Sequence, residues 1–210
     1  MSKKKIILFS LIAVFLSSLL SIFVIGEIIF RLTKPLMPVL NMGISMGRPD
    51  PVFHHLYPPN IEVKEMFAGF PTYFSTNNQG LRGRPYQINK PKGIYRILIL
   101  GDSFVFGSAV NDKETFCYLL EEELNRGLEY KKYEVINGGI VSYSPVLEYI
   151  LLKKNLINYS PDSVMLFYNF LDLQEDALYA KNAVYDNNGE IVACNPFYIN
   201  GHPSLSHHFH

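Results

Sequence analysis

The sequence predicts an α/β domain built on a parallel sheet and preceded by a single N-terminal transmembrane helix. The first supporting observation is an apolar stretch at residues 6–25 that only serine interrupts. The second is the order of segments after residue 95, where short apolar runs alternate with amphipathic ones as β-α-β-α-β. That alternation is typical of parallel strands covered by helices on both faces. The third is a small polar cluster after each strand, as expected where parallel strands end at one crevice.

The composition fits a folded protein and excludes some functional classes. The 210 residues include 19 basic and 19 acidic side chains, and 48% of the residues are hydrophobic. This composition supports a packed core and differs from that of a disordered chain. The formal net charge of zero provides no electrostatic basis for binding nucleic acid, so we expect no nucleic-acid partner.

Residues 1–31 are predicted to form a membrane anchor. A run of about 20 apolar residues is long enough to cross the hydrocarbon core of a bilayer as a helix. Lys3, Lys4 and Lys5 precede the run, and lysines favour the cytoplasmic side. We therefore predict a single-pass membrane protein whose remaining residues lie outside the cytoplasm, in the periplasm or at the cell exterior. A cleaved signal peptide is the alternative, although its apolar region should be shorter and a small-x-small cleavage site should follow.

Residues 32–91 are predicted to form a linker that packs on the domain. The segment is dense in proline, glycine, asparagine and aromatic residues, and its prolines would interrupt any long helix or strand. Within it, a short strand is predicted at residues 73–77 and a turn at residues 78–82.

Residues 92–210 are predicted to form the α/β domain. Its three strands are indicated by short runs rich in apolar residues, at residues 95–100, 133–136 and 163–168. Asn111 and Glu114 are spaced as a capping box, which predicts a helix that runs to about residue 126. Pro145 suits the first turn of a second helix, where its missing N–H leaves no hydrogen bond unmade.

The strongest functional motif is Gly-Asp-Ser at residues 101–103, directly after the first strand. A rigid strand that ends in a tight turn presents Ser103 at the edge of the sheet where ligands bind. The second strand is followed by Asn-Gly-Gly at residues 137–139, and the third by Asn169 and Asp172. Together, these motifs resemble those of the SGNH/GDSL hydrolases of the membrane-anchored type.

The resemblance to this family spans residues 76–176, and it implies a flavodoxin-like three-layer sandwich with a parallel sheet. It also implies an activity that needs neither a cofactor nor a metal ion. Ser103 corresponds to the nucleophile of the family, which forms an acyl-enzyme with an ester. Its backbone N–H would donate to the developing oxyanion, and Asp102 would support the turn.

The resemblance further implies an oxyanion hole built from the second and third blocks. The family often has glycine at the position of Ser142, and a serine there keeps the backbone donor if its φ and ψ suit. Gly139 could supply a further donor or allow a close backbone approach. Asp172 matches the aspartate of an Asn-Asp pair, but Leu171 then stands where asparagine belongs and cannot donate. Asn169 could replace that donor through a shifted turn, or could be a turn residue that bonds its own backbone.

The general base of the family, an Asp-x-x-His near the end of the domain, has no counterpart in the sequence. Histidines cluster near the C-terminus, at His202, His207, His208 and His210. No aspartate stands three residues before any of them, and they lack the acidic or cysteine partners of a metal site, so we predict no metal. Since a complete domain of this type needs more chain after the third strand, the sequence predicts an incomplete domain, the N-terminal part of a longer protein.

We therefore predict a membrane-anchored, extracytoplasmic serine esterase or O-acyltransferase. The resemblance and the predicted location imply acyl-ester substrates, for instance acetyl groups on a surface polysaccharide. The alternative is a catalytically inactive SGNH-like domain that binds a glycan or scaffolds an envelope complex. The missing Asp-x-x-His, Leu171 and Ser142 favour that alternative. A nucleotide- or flavin-binding domain is a third reading, disfavoured because the Gly-x-Gly-x-x-Gly and P-loop spacings are absent.

Overall fold

The computed structural model describes residues 3–33, 47–67, 70–170, 172–199 and 202–204. The chain divides into two units, Met1–Leu40 and Asn41–His210. Residues 47–91, which the sequence predicts as a linker, therefore belong to the same unit as the α/β domain.

The N-terminal unit contains one long helix, α1 (Lys3–Thr33). Its segment Phe9–Ile29 has a mean hydropathy of 2.4 and is long and apolar enough to cross a membrane. Side chains along this segment are exposed, for example Phe15 and Phe23. The length and composition of the helix agree with the predicted span.

The second unit is built on a three-stranded parallel sheet. Its strands are β5 (Tyr95–Gly101), β6 (Tyr133–Gly139) and β7 (Ser163–Leu166), arranged in the order β6-β5-β7. The predicted mixed α/β class and the predicted parallel sheet are thus confirmed. β6 continues three residues beyond its predicted end, which carries Asn137, Gly138 and Gly139 into the sheet.

Helices pack on both sides of the central strand. Helices α2 (Ser103–Phe106) and α3 (Phe116–Leu124) follow β5, α4 (Pro145–Lys154) follows β6, and α5 (Asp172–Tyr179) follows β7. One face of β5 presents Ile97 and Ile99, which pack in a cluster with Cys117 of α3. The other face presents Leu98 and Leu100, which share the larger core with three α4 side chains, Leu147, Ile150 and Leu151. This alternation follows from the two-residue repeat of a strand.

The first predicted helix is interrupted. Residues Asp112–Glu114 form a 3-10 turn, and α3 begins only at Phe116. Glu114 accepts a hydrogen bond from the Asn111 N–H at 2.9 Å, as the capping box requires. At the interruption, the Asp112 carboxylate accepts a hydrogen bond from the Ser75 N–H (2.9 Å), which comes from a distant strand. Thr115 has an extended backbone and serves as the new N-cap.

Short antiparallel pairs surround the sheet. Before β5 come β1 (Arg48–Asp50) with β2 (His54–Leu56), and β3 (Glu62–Phe67) with β4 (Phe70–Ser75). After α5 come β8 (Ala183–Tyr185) with β9 (Ile191–Cys194), and β10 (Phe197–Ile199) with β11 (His202–Ser204). Side chains from the strands before β5 and from the loops between them enter the main core, namely Tyr57, Val63, Phe74 and Leu81. The segment before β5 is therefore an integral part of the domain.

The edge strand β7 is largely uncovered. Val164, Met165 and Leu166 are 41–52% exposed, although they are as apolar as the buried residues of β5. Phe167 and Tyr168, which follow, are also exposed. In the described part of the chain, the helical layers thus cover β5 and β6 rather than β7.

Candidate active site

Ser103 lies at the start of α2, immediately after β5 ends. The Asp102 carboxylate caps this short helix by accepting a hydrogen bond from the Phe104 N–H at 2.8 Å. The turn is tight, because a Cβ at Gly101 would lie 2.3 Å from the Val105 Cγ2 atom. Ser103 is partly exposed, and its hydroxyl makes no hydrogen bond with the residues that the structure describes. The strand and the turn thus present a serine hydroxyl at the carboxyl edge of the sheet.

Asn169 lies beside this turn. Its Nδ2 donates to the Asp102 Oδ2 at 2.5 Å, and its own N–H donates to the Asp172 Oδ2 at 2.8 Å. The end of β7 is aligned with β5 by the hydrogen bond from the Phe167 N–H to the Leu100 carbonyl (3.0 Å). The Asn169 amide thus reaches the turn at residues 101–103, the serine turn, through Asp102, while the Asn169 backbone forms a local turn with Asp172.

The charge of Asp102 is controlled by its surroundings. Burial raises the pKa of this carboxyl, while hydrogen bonds from the Phe104 N–H and the Asn169 amide act in the opposite direction. An ionised Asp102 is thus stabilised chiefly by donors that also shape the serine turn.

We expect replacement of Asn169 by aspartate to lower the free energy of unfolding by about 1–3 kcal/mol at pH 7. The substitution removes the donor to Asp102 and places a like charge beside it. The loss should shrink near pH 4, where the two carboxyls can share a proton. Unfolding of the intact protein in detergent at both pH values tests this. The control is Asn158→Asp, an exposed asparagine, for which we expect a change within about 0.5 kcal/mol. A stability of Asn169→Asp equal to that of wild type at pH 7 would contradict the role of this contact.

Gly139 supports the serine turn by a close backbone approach. A Cβ at this position would lie 2.3 Å from the Phe106 N atom of α2. Its N–H donates to the Asn137 Oδ1 at 3.0 Å, and the Asn137 Nδ2 donates to the Val105 carbonyl at 2.9 Å. The Gly139 N–H is thus engaged by its own strand, so the geometry favours the close-approach interpretation over that of an oxyanion donor.

Ser142 occupies a turn next to the serine turn. Its φ is +63°, in the left-handed region that favours glycine. The turn is closed by the hydrogen bond from the Tyr143 N–H to the Ile140 carbonyl (3.1 Å), and the Ile140 N–H donates to the Gly101 carbonyl (3.1 Å). The Ser142 N–H has no acceptor among the described residues. Serine therefore adopts a conformation that favours glycine at the position where the resemblance expects glycine, and its backbone donor is available.

A cluster of carboxylates lies close to this edge of the sheet, and the sequence interpretation missed it. The pKa of Glu148 is raised to about 8 by burial and then by the nearby carboxylates of Asp172 and Asp102. Burial also raises the pKa of Glu175 to about 7. Neither carboxylate oxygen of Glu148 has a hydrogen-bond partner in the described structure, although the residue is only 1% exposed. A sequence signal existed, because Glu148 falls on the same helical face as the apolar residues of α4 that are three or four positions away.

Arg82 is a second residue that the sequence interpretation did not single out. It is buried, and its guanidinium donates to three carbonyl oxygens at 2.5–3.1 Å, those of Phe106, Gly107 and Val110. It also pairs with Asp112 at 3.0 Å. Because α2 ends at Phe106, these hydrogen bonds stabilise the C-terminal end of the helix that starts at Ser103.

The remaining candidates separate into described and undescribed residues. His202 lies in β11, whereas Leu171, His207, His208 and His210 lie outside the described residues. Among the described residues, no group of three or more His, Cys, Asp or Glu side chains could hold a metal ion.

Comparison with known proteins gives no match, either to a protein-family model or to a curated protein sequence. The arrangement around Ser103 accordingly defines the candidate site.

Proposed function

We propose that this chain is a serine hydrolase of the SGNH/GDSL type, an esterase or O-acyltransferase anchored in a membrane by α1 with its α/β domain outside the cytoplasm. The observation that carries the proposal is the meeting of three strand ends. The turn of Ser103 after β5 is joined to Asn169 after β7 through Asp102, and to the Ser142 turn after β6 through the hydrogen bond from the Ile140 N–H to Gly101.

The proposed chemistry begins with attack of the Ser103 oxygen on an ester carbonyl. The C–O bond to the leaving alcohol breaks, and the proton of the Ser103 hydroxyl ends on the leaving oxygen. The acyl group is held on serine until water or an acceptor alcohol takes it and returns a proton to the serine oxygen. The negative charge that develops on the carbonyl oxygen would be stabilised by the N–H groups of Ser103 and Ser142. Fixed donors of this kind are typically worth about a hundred- to a thousandfold in rate.

Exposed aromatic side chains next to the site support a substrate with apolar or sugar-ring surface. Phe104 directly follows Ser103 and is 78% exposed, and Phe170 directly follows Asn169 and is 83% exposed. Large exposed aromatic groups are a recognised feature of binding surfaces. They fit the proposed substrate class, acyl esters such as those of a surface polysaccharide.

The complete flavodoxin-like sandwich is part of the proposal. It is supported by the helices on opposite faces of β5 and by the uncovered apolar strand β7, which has the composition of an interior strand.

Labelling with a fluorophosphonate probe tests the proposed nucleophile. The intact protein in detergent should be labelled, and Ser103→Ala should abolish labelling because the attacking oxygen is lost. Ser108→Ala is the matched control, since this serine follows the same short helix, and it should label as wild type does. Labelling of Ser103→Ala at the wild-type rate would contradict the nucleophile. Absence of labelling in wild type would favour the glycan-binding or scaffolding alternative.

A further inference from the structure

A buried histidine from the segment before β5 contacts the turn that carries Ser142. His55 is 1% exposed, and its Nε2 lies 2.8 Å from the Val141 carbonyl oxygen, 86 positions away in sequence. The His55 ring also packs edge-on against Tyr143, with 5.0 Å between ring centroids. The His55 imidazole therefore packs directly against the turn that carries Ser142.

The hydrogen bonds of His55 define its tautomer. A carbonyl oxygen can only accept, so the Nε2 atom must carry the proton that is donated to Val141. In the neutral ring the Nδ1 atom then accepts, and it lies 2.8 Å from the Nδ1 of His54. Burial lowers the pKa of His55 to about 4, which keeps the ring neutral near pH 7. His55 is thus a fixed N–H donor at this site.

The chain adopts an unfavourable backbone conformation to bring this donor into place. His54 has a φ of +62°, and the His55 N–H donates to the Phe53 carbonyl at 2.6 Å, which closes a three-residue turn. The Tyr143 hydroxyl lies within 2.7–2.8 Å of the carbonyl oxygens of both Phe53 and His55. A strained turn persists only where its surroundings hold it, and such strain is concentrated at functional sites.

The geometry of the Ser142 turn explains what His55 does. Residues 140–143 form a four-residue turn with positive φ at its third position, Ser142, and not at its second, Val141, which is the pattern of a type II turn. Type I and type II turns differ by a flip of the central peptide, here the peptide that contains the Val141 carbonyl and the Ser142 N–H. Since these two groups point in opposite directions, a donor that holds the carbonyl also directs the N–H.

We infer that His55 is a positioning residue for the oxyanion hole: by holding the Val141 carbonyl, it aims the Ser142 N–H at the developing oxyanion. The inference rests on the proposed function, because it concerns the same site. Without His55, serine at position 142 would favour the type I turn, which does not need positive φ, and the Ser142 N–H would turn to the opposite side.

The test compares the second-order rate of fluorophosphonate labelling across variants of the intact protein in detergent. His55→Met replaces the imidazole by a flexible apolar side chain that cannot donate a hydrogen bond. We expect labelling to slow about tenfold to a hundredfold. His55→Gln keeps an N–H donor and should stay within several-fold of wild type. Tyr179→Phe is the matched control. It removes a buried hydroxyl that donates to the Ser142 carbonyl (2.6 Å), but it leaves the hydrogen bond between His55 and the Val141 carbonyl in place.

A second substitution separates positioning from a merely structural role. Glycine at the third position favours a type II turn by itself. Adding Ser142→Gly to His55→Met should therefore restore most of the labelling rate. A wild-type rate for His55→Met, or a loss that Ser142→Gly leaves undiminished, would overturn the inference.

Crystal structures keep the inference testable if labelling or folding fails. If wild type shows no Ser103-dependent labelling, the proposed function fails. The positioning role of His55 is then tested by the crystal structure of the His55→Met variant. A negative φ at Ser142 in that variant supports the positioning role, and an unchanged positive φ contradicts it. If His55→Met does not fold, the phosphonyl adduct of wild type decides, since its oxygen should lie about 3 Å from the Ser142 N atom. An adduct oxygen bound elsewhere would refute the inference.

Discussion

Replacing Arg82 by methionine is expected to lower the free energy of unfolding by about 3–5 kcal/mol, because three carbonyl acceptors lose their donor at a typical cost of about 1–3 kcal/mol each. The Arg82 side chain is 2% exposed, and it binds both the Asp112 carboxylate and three carbonyl groups. Methionine fills similar space but donates no hydrogen bond, so buried acceptors would lose their donor.

The effect of Arg82 should reach the serine turn. Two of its acceptors, the carbonyls of Phe106 and Gly107, lie at the end of the helix that Ser103 begins. Chemical unfolding of the intact protein in detergent measures the stability, and fluorophosphonate labelling measures the reactivity of the serine. We expect both to fall in Arg82→Met.

Arg84→Met is the matched control for this prediction. Arg84 also pairs with a carboxylate, Glu121 at 3.1 Å, but its side chain is 41% exposed. Glu121 keeps other partners, including Lys131 and the Val135 N–H. The control should therefore cost about 1 kcal/mol or less. Equal losses of unfolding free energy for the two variants, or a loss below about 1 kcal/mol for Arg82→Met, would show that Arg82 does not stabilise the serine turn.

Replacing Glu148 by glutamine is expected to stabilise the protein at alkaline pH by a few kcal/mol. The pKa of Glu148 is about 8 in the folded protein against an ordinary value of 4.5. Between these values the folded state binds more protons than the unfolded state, so stability falls as the pH rises from about 4.5 to 8. Each unit of such a shift corresponds to about 1.4 kcal/mol. Glutamine is neutral throughout, so the variant avoids this loss.

The test is to measure the free energy of unfolding of wild type and of Glu148→Gln at a series of pH values between 5 and 9. Glu148→Gln should match wild type near pH 5, where Glu148 is protonated, and should be more stable at pH 9. A smaller slope should remain, because Glu175 titrates with a pKa of about 7 for the same reason, burial. The control is Glu122→Gln, an exposed position on α3, whose pH profile should follow wild type. A profile of Glu148→Gln that parallels wild type at all pH values would refute the assignment.

The two predictions address different consequences of burial. Arg82 is a buried charge that donates four hydrogen bonds, one to the Asp112 carboxylate and three to backbone carbonyls, so it stabilises the fold that surrounds it. Glu148 is a buried acid without a partner in the described structure, so it lowers stability whenever it ionises. Natural proteins keep unfavourable groups of this kind chiefly near functional sites, and Glu148 lies within the electrostatic reach of Asp102, next to Ser103.

Local sequence patterns were sufficient for the parallel strands, for the start of α4 and for the order of the polar motifs that follow the strands. Apolar runs predicted all three strands of the parallel sheet, and Ser144-Pro145 marked the start of α4. These features depend on neighbours in the sequence, through strand periodicity, capping and the conformation of proline. They did not predict α5 or most of the short antiparallel strands around the sheet. They also did not predict the 3-10 turn at Asp112–Glu114, where the Asp112 carboxylate binds Ser75 of a distant strand.

Contacts between distant segments emerged only when the chain was folded. The segment before β5 reads as a proline-rich linker, yet it supplies His55 behind the Ser142 turn and Arg82 beneath the helix of Ser103. The positive φ of Ser142 likewise arises from its surroundings, since serine by itself disfavours that conformation. Hydrogen bonds and desolvation depend on which groups meet in space, and no local pattern encodes a meeting between residues 55 and 141. The Gly-Asp-Ser motif at residues 101–103 was thus evident from the sequence, while the residues that pack around it were established by tertiary structure.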